Sequence, residues 1–389
     1  MNTMARVCIC CEGDSGYQIP LGSWSIAGVG EVGLAIRICA RCGAVFQDPA
    51  PTPKVMERYY KNYSNYTNTA RNGLPDKSLI DTVSKQVSII NKFLKPSRVF
   101  EVGCATGYML SELKKIGWDV TGCDPSPATA QVSLDRWGIE IQTGFFEELS
   151  LDNECTDLVV FSHVLEHLYD PVLTLKRAHQ ILSESGHLLV EVPCLINPEK
   201  WPNGYFTFEH INIFSENILI NCLAQAGFVA VNVEVTIDHS HYPVITVLAK
   251  KSISHVWCES QIDLSIEVQR LINSHIKAES AEWERIDELL NNELDGFEQV
   301  VIFGGGVHTS QLLANTKTLD TKNICSIIDS DPQKNGLELR GVKICSLDSI
   351  DLCGIEIAIV ISSRASESEI YTMLSNRSNI GAKIIRLYE

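Results

Sequence analysis

The sequence lacks the features that mark membrane proteins and nucleic-acid-binding proteins. It has no apolar run near the roughly 18 residues that a membrane span needs, and residues 1–11 contain no apolar stretch typical of a secretory signal. Basic residues are in the minority: 32 Lys and Arg stand against 48 Asp and Glu, a formal net charge of −16. Because such a surface repels phosphate backbones, we expect no membrane or nucleic-acid partner and predict a cytoplasmic protein.

The composition that is present indicates a globular chain with more than one domain. Its 389 residues correspond to two or three domains at roughly 150 residues each. The hydrophobic content of 45% excludes a disordered chain. Nine of the 14 cysteines are scattered, mostly within apolar runs, which favours reduced core thiols over a disulfide framework.

The other five cysteines lie within the first 42 residues. Two C-x-x-C pairs can each aim two sulfurs at one point from a tight turn, and together they complete a tetrahedral Zn²⁺ shell. No histidine precedes His163, so a local site must be all cysteine. The predicted ligands of this structural zinc are Cys8, Cys11, Cys39 and Cys42. Cys10 is the spare thiol or a replacement for Cys8 or Cys11, and a reactive dithiol is the alternative interpretation.

From residue 97 onward, short apolar runs alternate with helical patterns. The predicted strands of this region are Arg98–Val102, Asp119–Cys123, Asp157–Phe161 and His187–Val192. Strands that alternate with helices form parallel sheets with right-handed crossovers. Residues 262–294 have helical periodicity without proline and predict a long connecting helix. A second strand–glycine–helix unit begins at Gln299.

The first strand of this region runs into a glycine loop that precedes a helix. The loop contains Glu101, Gly103, Ala105 and Gly107, and Asp124 ends the next strand. Glycines let the backbone approach a ligand closely, the helix start supplies N–H donors, and the aspartate can accept hydrogen bonds from ribose hydroxyls. Taken alone, this pattern fits a nucleotide or dinucleotide site.

The Glu-x-Gly-x-Ala-x-Gly pattern resembles motif I of class I S-adenosylmethionine (SAM) methyltransferases, in which a glycine is commoner at the position of Ala105. The resemblance continues through residues 144–148, 163–171 and 182–193, in order, and covers 97–250. It implies a seven-stranded Rossmann-like domain that binds SAM, with the adenine near Phe146 and Glu147. The reaction it implies is direct methyl transfer to a nucleophile.

A Glu-His pair between aromatic residues follows the last predicted strand of the SAM region. Glu209 and His210 belong to an E-H-x-x-x-F-S segment that resembles zinc-containing sugar methyltransferases, which also have an N-terminal cysteine module and a C-terminal Rossmann-like module. Sugar C-3 methyltransferases usually read Y-H-E-H here, whereas this chain has Thr207 and Phe208. C-, O- and N-methylation therefore stay open. We predict His210 as general base and Glu209 as its orienter; a structural histidine that caps the next helix, and a surface acid, are the alternatives.

Two further groups of side chains are candidates for the same pocket. The spacing of His163, Glu166 and His167 predicts a shared helix face, with His163 facing SAM or the acceptor; helix packing and a metal site are the alternatives. Four tyrosines at positions 59, 60, 63 and 66 predict an aromatic lid over the cofactor or packing between modules.

The C-terminal glycine loop has a weaker pattern. Gly304-x-Gly306 follows an apolar strand without a third glycine downstream, and the candidate binding residues there are Gly304, Gly306, His308 and Asp329. Similar modules in sugar-modifying enzymes resemble nucleotide-sugar or coenzyme A binders. The predicted role is binding of the nucleotide part of a substrate, and the alternative is a structural or dimerising role.

We therefore predict an α/β protein built from five segments. They are a zinc-binding module (1–52), a tyrosine-rich helical connector (53–95), a SAM-dependent methyltransferase domain (96–250), a helical connector (251–297) and a half-Rossmann module (298–389). The predicted function is methyl transfer from SAM to a small molecule such as a nucleotide-linked sugar, by a monomer or homodimer. An NAD(P)-dependent oxidoreductase that uses the C-terminal loop, and a non-catalytic adaptor, are the competing hypotheses.

Overall fold

The computed structural model describes residues 2–62, 74–197, 200–202, 204–236, 242–252, 262–352, 356–377 and 380–388. These residues form two compact units. One unit comprises Met4–Pro20 and Ala35–Ile272, and the other comprises Met1–Thr3, Leu21–Leu34 and Asn273–Glu389. Each unit is described by itself below. No helix among the described residues is both long enough and apolar enough to cross a membrane.

The described part of the N-terminal region contains five strands and two helices. The strands are β1 (Thr3–Met4), β2 (Gly16–Ile26), β3 (Gly30–Cys39), β4 (Val45–Gln47) and β5 (Ala50–Pro51). The helices are α1 (Pro53–Asn62) and α2 (Lys77–Phe93). Asp76 caps α2, because its carboxylate accepts a hydrogen bond from the Leu79 N–H.

The larger unit, Met4–Pro20 and Ala35–Ile272, has a seven-stranded sheet at its centre. Between residues 98 and 251, the strands and α-helices of this unit are β6 (Arg98–Val102), α3 (Tyr108–Lys115), β7 (Asp119–Asp124), α4 (Pro127–Trp137), β8 (Gln142–Thr143), β9 (Thr156–Ser162), α5 (Pro171–Ile181), β10 (Leu182–Pro193), β11 (Asn212–Ile213), α6 (Glu216–Gln225), β12 (Phe228–Thr236) and β13 (Val244–Lys251). The strand order is β12-β13-β10-β9-β6-β7-β8. β13 pairs antiparallel with β10 and β12, whereas the pairs among β6 to β10 are parallel.

The parallel strands are buried on both faces, which explains their nearly continuous apolar runs. Leu158, Val159, Val160 and Phe161 of β9 have no exposed surface. The carboxyl ends of β6, β7 and β9 meet at one edge of the sheet, where ligands of such folds bind. This confirms the predicted Rossmann-like α/β class. β11 joins a second, four-stranded sheet of order β11-β4-β3-β2.

A six-stranded sheet forms the core of the other unit. The remaining elements are α7 (Ile262–Glu293), β14 (Gln299–Phe303), α8 (Val307–Asn315), β15 (Asn323–Ile328), β16 (Glu338–Leu339), β17 (Val342–Cys345), β18 (Ile357–Ile361), α9 (Glu367–Ser375) and β19 (Lys383–Ile385). The strand order is β16-β17-β15-β14-β18-β19. Trp283, Ile286 and Leu290 of α7 pack into the core with Ile302 of β14. The predicted C-terminal Rossmann-like module is thus present.

Candidate functional site

The glycine loop after β6 turns through three residues in the left-handed region. Gly103, Ala105 and Gly107 have φ of 66°, 44° and 76°. A Cβ at Gly103 would lie 2.7 Å from a methyl carbon of Val164, and one at Gly107 would lie 2.5 Å from the Ser133 hydroxyl. Glycine is therefore required at both positions. Ala105 occupies the same strained region with a side chain.

Asp124, at the end of β7, holds this loop in place. Its Oδ2 accepts a 3.0 Å hydrogen bond from the Ala105 N–H. Its Oδ1 accepts hydrogen bonds of 2.9 Å from the Ser126 N–H and the Thr129 hydroxyl. The carboxylate thus reaches from β7 to the loop after β6, which brings the two predicted cofactor segments together.

Glu101 is a buried carboxylate with an unsatisfied oxygen. Only 5% of the residue is exposed, and its Oε2 accepts no hydrogen bond from any residue that the structure describes. Burial, with a smaller contribution from Asp124, raises the pKa of Glu101 to about 8. A ligand cation placed here would relieve this cost, because an opposite charge favours the ionised carboxylate.

These residues line a cavity of about 890 Å³, within the size range of small-molecule sites. The predicted cofactor residues on its wall are Glu101, Gly103, Ala105, Asp124, Phe146 and Glu147. The titratable and aromatic residues on its wall include Tyr60, His163, Glu166, His167, His210 and Tyr242. One cavity therefore contains six of the predicted cofactor residues and both predicted catalytic histidines, whereas Gly107 and Glu209 do not line it.

Phe146 and Glu147 lie on a short 3-10 turn beside the cavity. The Phe146 ring packs against Phe100, with ring centroids 5.8 Å apart, and its carbonyl accepts a 2.9 Å hydrogen bond from Arg177. Glu147 accepts a hydrogen bond from the Thr174 hydroxyl. α5 thus fixes the turn from behind.

His163 follows β9 in a left-handed conformation, with φ of 56°. The prediction that it shares a helix face with Glu166 and His167 is wrong, because the only helical turn here is the 3-10 turn Leu165–His167. Its ring nitrogens nevertheless lie 3.3 Å from Glu166 and 3.6 Å from Glu191. Burial opposes a charge on His163, but Tyr242, Glu166 and Glu191 outweigh it and raise its pKa well above the usual value.

Glu166 lies at the centre of the histidine group. Only 1% of the residue is exposed, and neither carboxylate oxygen accepts a hydrogen bond from the described residues. Its Oε1 lies 3.8 Å from His167 Nε2, and ligand atoms of Glu166, His167 and His210 all lie within 4.8 Å of one another. Burial opposes ionisation, but His167 and His163 outweigh it and lower the pKa of Glu166. Since these histidines compensate the carboxylate, we assign no metal here.

Glu209 and His210 lie on the loop that precedes β11. Glu209 is buried, and its Oε1 accepts a 2.6 Å hydrogen bond from the Tyr59 hydroxyl. The Glu209 carbonyl lies 3.0 Å from His167 Nδ1, and the Tyr60 hydroxyl lies 2.8 Å from the same nitrogen. Because a carbonyl can only accept, a hydrogen bond to the Glu209 carbonyl requires a proton on His167 Nδ1. Tyr63 and Tyr66 of the predicted lid lie outside the described residues.

His210 has a half-buried ring that borders the cavity. Its ring centroid lies 5.0 Å from that of His167. Burial, followed by the positive charge that His167 can carry, lowers the pKa of His210 to about 3. The ring is therefore neutral at pH 7 and has a lone pair available. The next helix, α6, is capped by the Ser215 hydroxyl, so His210 is not its cap.

The four predicted zinc ligands come together in the N-terminal region. The Cys8 and Cys42 sulfurs are 3.4 Å apart, the Cys11 and Cys39 sulfurs are 3.5 Å apart, and all four lie within 4.8 Å of one another. A tetrahedral shell with Zn–S bonds of about 2.3 Å needs sulfurs about 3.8 Å apart, so this donor set fits zinc. Cys10 lies outside the group, and its carbonyl accepts a 2.9 Å hydrogen bond from Gln225.

In the other unit, the C-terminal glycine loop is held by its own side chains. Asp329 accepts hydrogen bonds from the Gly305 N–H at 2.7 Å and from Lys334 at 3.0 Å. A Cβ at Gly304 would lie 2.6 Å from the Ser362 carbonyl oxygen, and Gly306 precedes α8. The predicted residues thus lie close together. Close packing against Ser362 explains why position 304 is glycine.

His308 of the same module is also engaged internally. Its Nδ1 lies 2.8 Å from the Ser362 hydroxyl, and its Nε2 is hydrogen-bonded to the Tyr388 hydroxyl. Burial, and then the charge of Arg364, lower the pKa of His308 to about 4. His308 is therefore a neutral residue that ties α8 to β18 and to the end of the chain.

Sequence reasoning missed the buried carboxylate of Glu191 in β10. It accepts hydrogen bonds from Gln86 at 2.8 Å and from the Thr246 hydroxyl, and Lys85 lies 3.8 Å away. The signal was a single acid within an apolar strand, since a charge there must be paired. Gln86 also donates to the Ser162 hydroxyl at 2.8 Å, so this network supports the end of β9 beside His163.

Comparison with known proteins bears on the larger unit. A family model described as "Methyltransferase domain" matches residues 76–233. A ubiquinone biosynthesis O-methyltransferase of Azorhizobium caulinodans is 33% identical over 102 residues, which cover 25% of this chain and 40% of that protein. A probable S-adenosylmethionine-dependent methyltransferase of Mycobacterium tuberculosis is 26% identical over 170 residues, 42% of this chain and 62% of that protein. The chain thus spans about half the length of these relatives.

Among solved structures, magnesium protoporphyrin IX methyltransferase from Synechocystis has a TM-score of 0.43 and 15% sequence identity. The match covers 52% of this chain and all of that one. So distant a likeness says nothing about activity.

The central part of the chain is a class I SAM-dependent methyltransferase domain, as predicted. The family match spans the glycine loop, Asp124, His163 and His210, and the relatives that match it are named methyltransferases. SAM is the cofactor of this class of domain.

Proposed function

We propose that the protein transfers a methyl group from SAM to a small-molecule acceptor bound in the same cavity. One observation carries this proposal: a single cavity of about 890 Å³ is lined by the glycine-loop residues and by three histidines with a buried carboxylate. The resemblance to zinc-containing sugar methyltransferases adds the expectation of a nucleotide-linked sugar or a related metabolite as acceptor.

The glycine-loop side of the cavity fits SAM. Glu101 has a buried oxygen without a donor, and Asp124 ends the neighbouring strand. In our proposal Glu101 receives the cationic amino-acid end of SAM, Asp124 the ribose, and the 3-10 turn of Phe146 and Glu147 borders the adenine. SAM supplies a methyl group on a sulfonium that needs no further activation.

In our proposal, the histidines on the cavity wall receive the proton that leaves the acceptor. His210 is neutral at pH 7, so its lone pair can accept that proton while the acceptor's electron pair forms the new bond to the methyl carbon. Glu166 supplies negative charge beside the three histidines and stabilises the imidazolium that forms. His163 is already held as a cation between Glu166 and Glu191, which makes it a poor base.

The low pKa of His210 favours O- or N-methylation over C-methylation. An acceptor O–H or N–H becomes acidic as the new bond to carbon forms, so a weak base suffices. A C–H next to a carbonyl must be deprotonated before the bond forms and needs a stronger base. The absence of the Tyr-His pair before Glu209 is in line with this choice.

We propose that the four-cysteine group holds one structural zinc. Four thiolates complete the coordination shell and leave no open position for chemistry. When bound, the zinc would cross-link the turn that contains Cys8 with the turn that contains Cys39, and so stabilise the start of β4.

The proposed function is tested by binding and by product formation. Calorimetry should detect SAM and S-adenosylhomocysteine binding and no comparable binding of NAD⁺ to the purified protein. A panel of nucleotide-linked sugars, unlinked sugars and phenols is then incubated with SAM, and S-adenosylhomocysteine release is measured against a no-acceptor control. NAD⁺ binding tighter than SAM binding would contradict the proposal.

A further inference from the structure

We propose that Gln47 and Arg6, which belong to the N-terminal cysteine segment, position the loop that contains Glu209 and His210. This inference rests on the proposed role of His210 as the proton acceptor. Both residues are far from that loop in sequence and in the same compact unit. They act as positioning residues through the backbone of the loop.

Gln47 fixes the loop by its backbone carbonyls. The residue is 1% exposed and ends β4. Its side-chain Nε2 donates to the carbonyl of Thr207 at 2.5 Å and to that of His210 at 3.0 Å. Its backbone N–H donates to the carbonyl of Ile211 at 2.9 Å. One buried residue thus satisfies carbonyls on both sides of Glu209.

Arg6 fixes the adjoining residues. Its guanidinium donates to the Ile211 carbonyl at 2.7 Å, and to the Tyr169 carbonyl and the Asn212 side chain at 2.9 Å each. Burial lowers the pKa of Arg6 to about 10, which leaves it charged at neutral pH. Asn212 in turn donates to the carbonyls of Leu165 and Leu168. The segments that contain His167 and His210 are therefore held by one set of donors.

Strand pairing extends this hold to the cysteine turns. Phe46 and Val45 of β4 pair with Asn212 and Ile213 of β11. The Cys39 N–H donates to the Ala44 carbonyl at 2.9 Å. This hydrogen bond fixes the backbone between the cysteine turn and the start of β4. The thiol group, β4 and the His210 loop thus form one continuous hydrogen-bonded path.

This arrangement matters because a base must lie within hydrogen-bond reach of the proton that it removes. Fixing the carbonyls of Thr207 and His210 fixes the backbone between them, and hence the direction of the His210 side chain. An apolar residue at Gln47 would leave two carbonyls without donors at a buried position. The loop would then move to find other donors, because unsatisfied buried carbonyls are costly.

The experiment compares Gln47→Leu with Gln18→Leu in the full-length protein. Gln18 is the control, an exposed glutamine whose amide donates to the Asp48 carbonyl in the same segment rather than to the loop. Three quantities are measured without any acceptor: SAM affinity by calorimetry, hydrogen exchange of residues 207–213, and the NMR titration of His210. The His210 signal is identified by its absence in His210→Gln.

In Gln47→Leu we expect SAM affinity within about twofold of wild type, because the carbonyls of Thr207 and His210 bond Gln47 and no glycine-loop residue. Exchange at residues 207–213 should rise about tenfold or more, the scale of one lost hydrogen bond. The His210 titration midpoint should move up toward its usual value of about 6.5 as water reaches the ring. The charged groups that influence it, His167, Glu166 and His163, are all retained. Gln18→Leu should leave all three quantities unchanged.

A folded Gln47→Leu with unchanged exchange and unchanged His210 titration overturns the proposal, and so does an equal response in Gln18→Leu. Gln47→Asn, an amide too short to reach both carbonyls, is measured in parallel and should reproduce the Gln47→Leu response. If neither Gln47 variant folds, the residue supports the segment's folding rather than the loop's position, and the proposal is again overturned. None of these measurements needs methyl transfer. A failure of the proposed base role is therefore seen separately, as turnover retained by His210→Ala, and a failure of the proposed function as NAD⁺ binding tighter than SAM binding.

Discussion

The Tyr59 hydroxyl donates a 2.6 Å hydrogen bond to the carboxylate of Glu209, a residue 150 positions further along the chain. Both residues are buried, and the Tyr59 ring also packs edge-on against Phe208, with centroids 4.8 Å apart. Helix α1 is thereby tied to the loop that contains His210.

Tyr59→Phe removes this hydrogen bond without removing the ring. We expect the free energy of unfolding to fall by about 1.5–3 kcal/mol, the range for hydrogen bonds to charged groups. Urea denaturation followed by circular dichroism measures the change. Tyr17→Phe is the control, because Tyr17 is 47% exposed and its substitution should change stability by less than about 0.5 kcal/mol. Equal stability of Tyr59→Phe and Tyr17→Phe would contradict the prediction.

Asp124→Asn should weaken SAM binding while keeping the oxygen that accepts hydrogen bonds from Ser126 and Thr129. The amide keeps that acceptor oxygen but loses the charge that faces the Ala105 N–H and that we propose binds the ribose hydroxyls. We therefore expect the free energy of SAM binding, measured by calorimetry, to weaken by roughly 2–3 kcal/mol. Asp119→Asn, at the exposed start of the same strand, is the matched control. SAM affinity that is equal in the two variants would remove Asp124 from the cofactor site.

The raised pKa of Glu101 predicts a pH dependence of stability in the ligand-free protein. Its pKa is about 8 when folded and near 4.5 when unfolded, so the unfolded chain loses this proton at lower pH. The stabilisation is complete below about pH 4.5 and disappears as the pH rises through about 8. Wild type should therefore lose stability between these values, beyond any loss in Glu101→Gln, in urea titrations at several pH values. The exposed Glu140→Gln serves as control and should follow wild type. Parallel curves for wild type and Glu101→Gln would rule the prediction out.

His210→Ala should slow methyl transfer by roughly 10²- to 10⁴-fold, the usual contribution of a general base, with SAM affinity unchanged. Because the pKa of His210 is about 3, the wild-type rate should stay constant as the pH falls from 7 to about 4 and should decline only below that. The variant should lack that decline. Rates are measured with the best acceptor from the panel. A rate in the variant like that of wild type would make His210 structural.

Purified protein should contain about one zinc per chain by elemental analysis. Cys39→Ser should lose it and unfold the N-terminal region, whereas Cys10→Ser should retain it, because the Cys10 sulfur lies outside the four-thiol group. Wild type that is fully folded after complete removal of zinc would contradict the structural role.

The sequence predicted the elements whose signal is local. Apolar runs located β6 at Arg98–Val102 and β14 from Gln299, and the long proline-free stretch located α7. The conformation of His163 could not be predicted in this way, because its backbone N–H bonds the Glu191 carbonyl in another strand. That tertiary contact replaces the helix that the spacing of His163 and Glu166 had indicated.

The contacts that position the candidate site could not be predicted from the sequence either. Glutamine at position 47 has no pattern that points to the His210 loop, since its partners lie on the loop before β11, which reaches β4 only in the folded chain. Likewise, the cofactor residues were recognisable because glycine spacing reflects local backbone geometry, whereas the Tyr59–Glu209 contact joins distant segments.

The pairing of β4 with β11 also has a consequence for protein synthesis. The side-chain amide of Gln47 cannot bond its partners until Thr207, 160 residues later, has been synthesised. At about 5–20 residues per second, the ribosome needs about 8–32 s to make that stretch. During this interval β4 has an open edge that could pair with another chain. The cysteine segment is thus synthesised well before the loop that completes its hydrogen bonds. Early metal binding by its thiols would stabilise the segment during this interval.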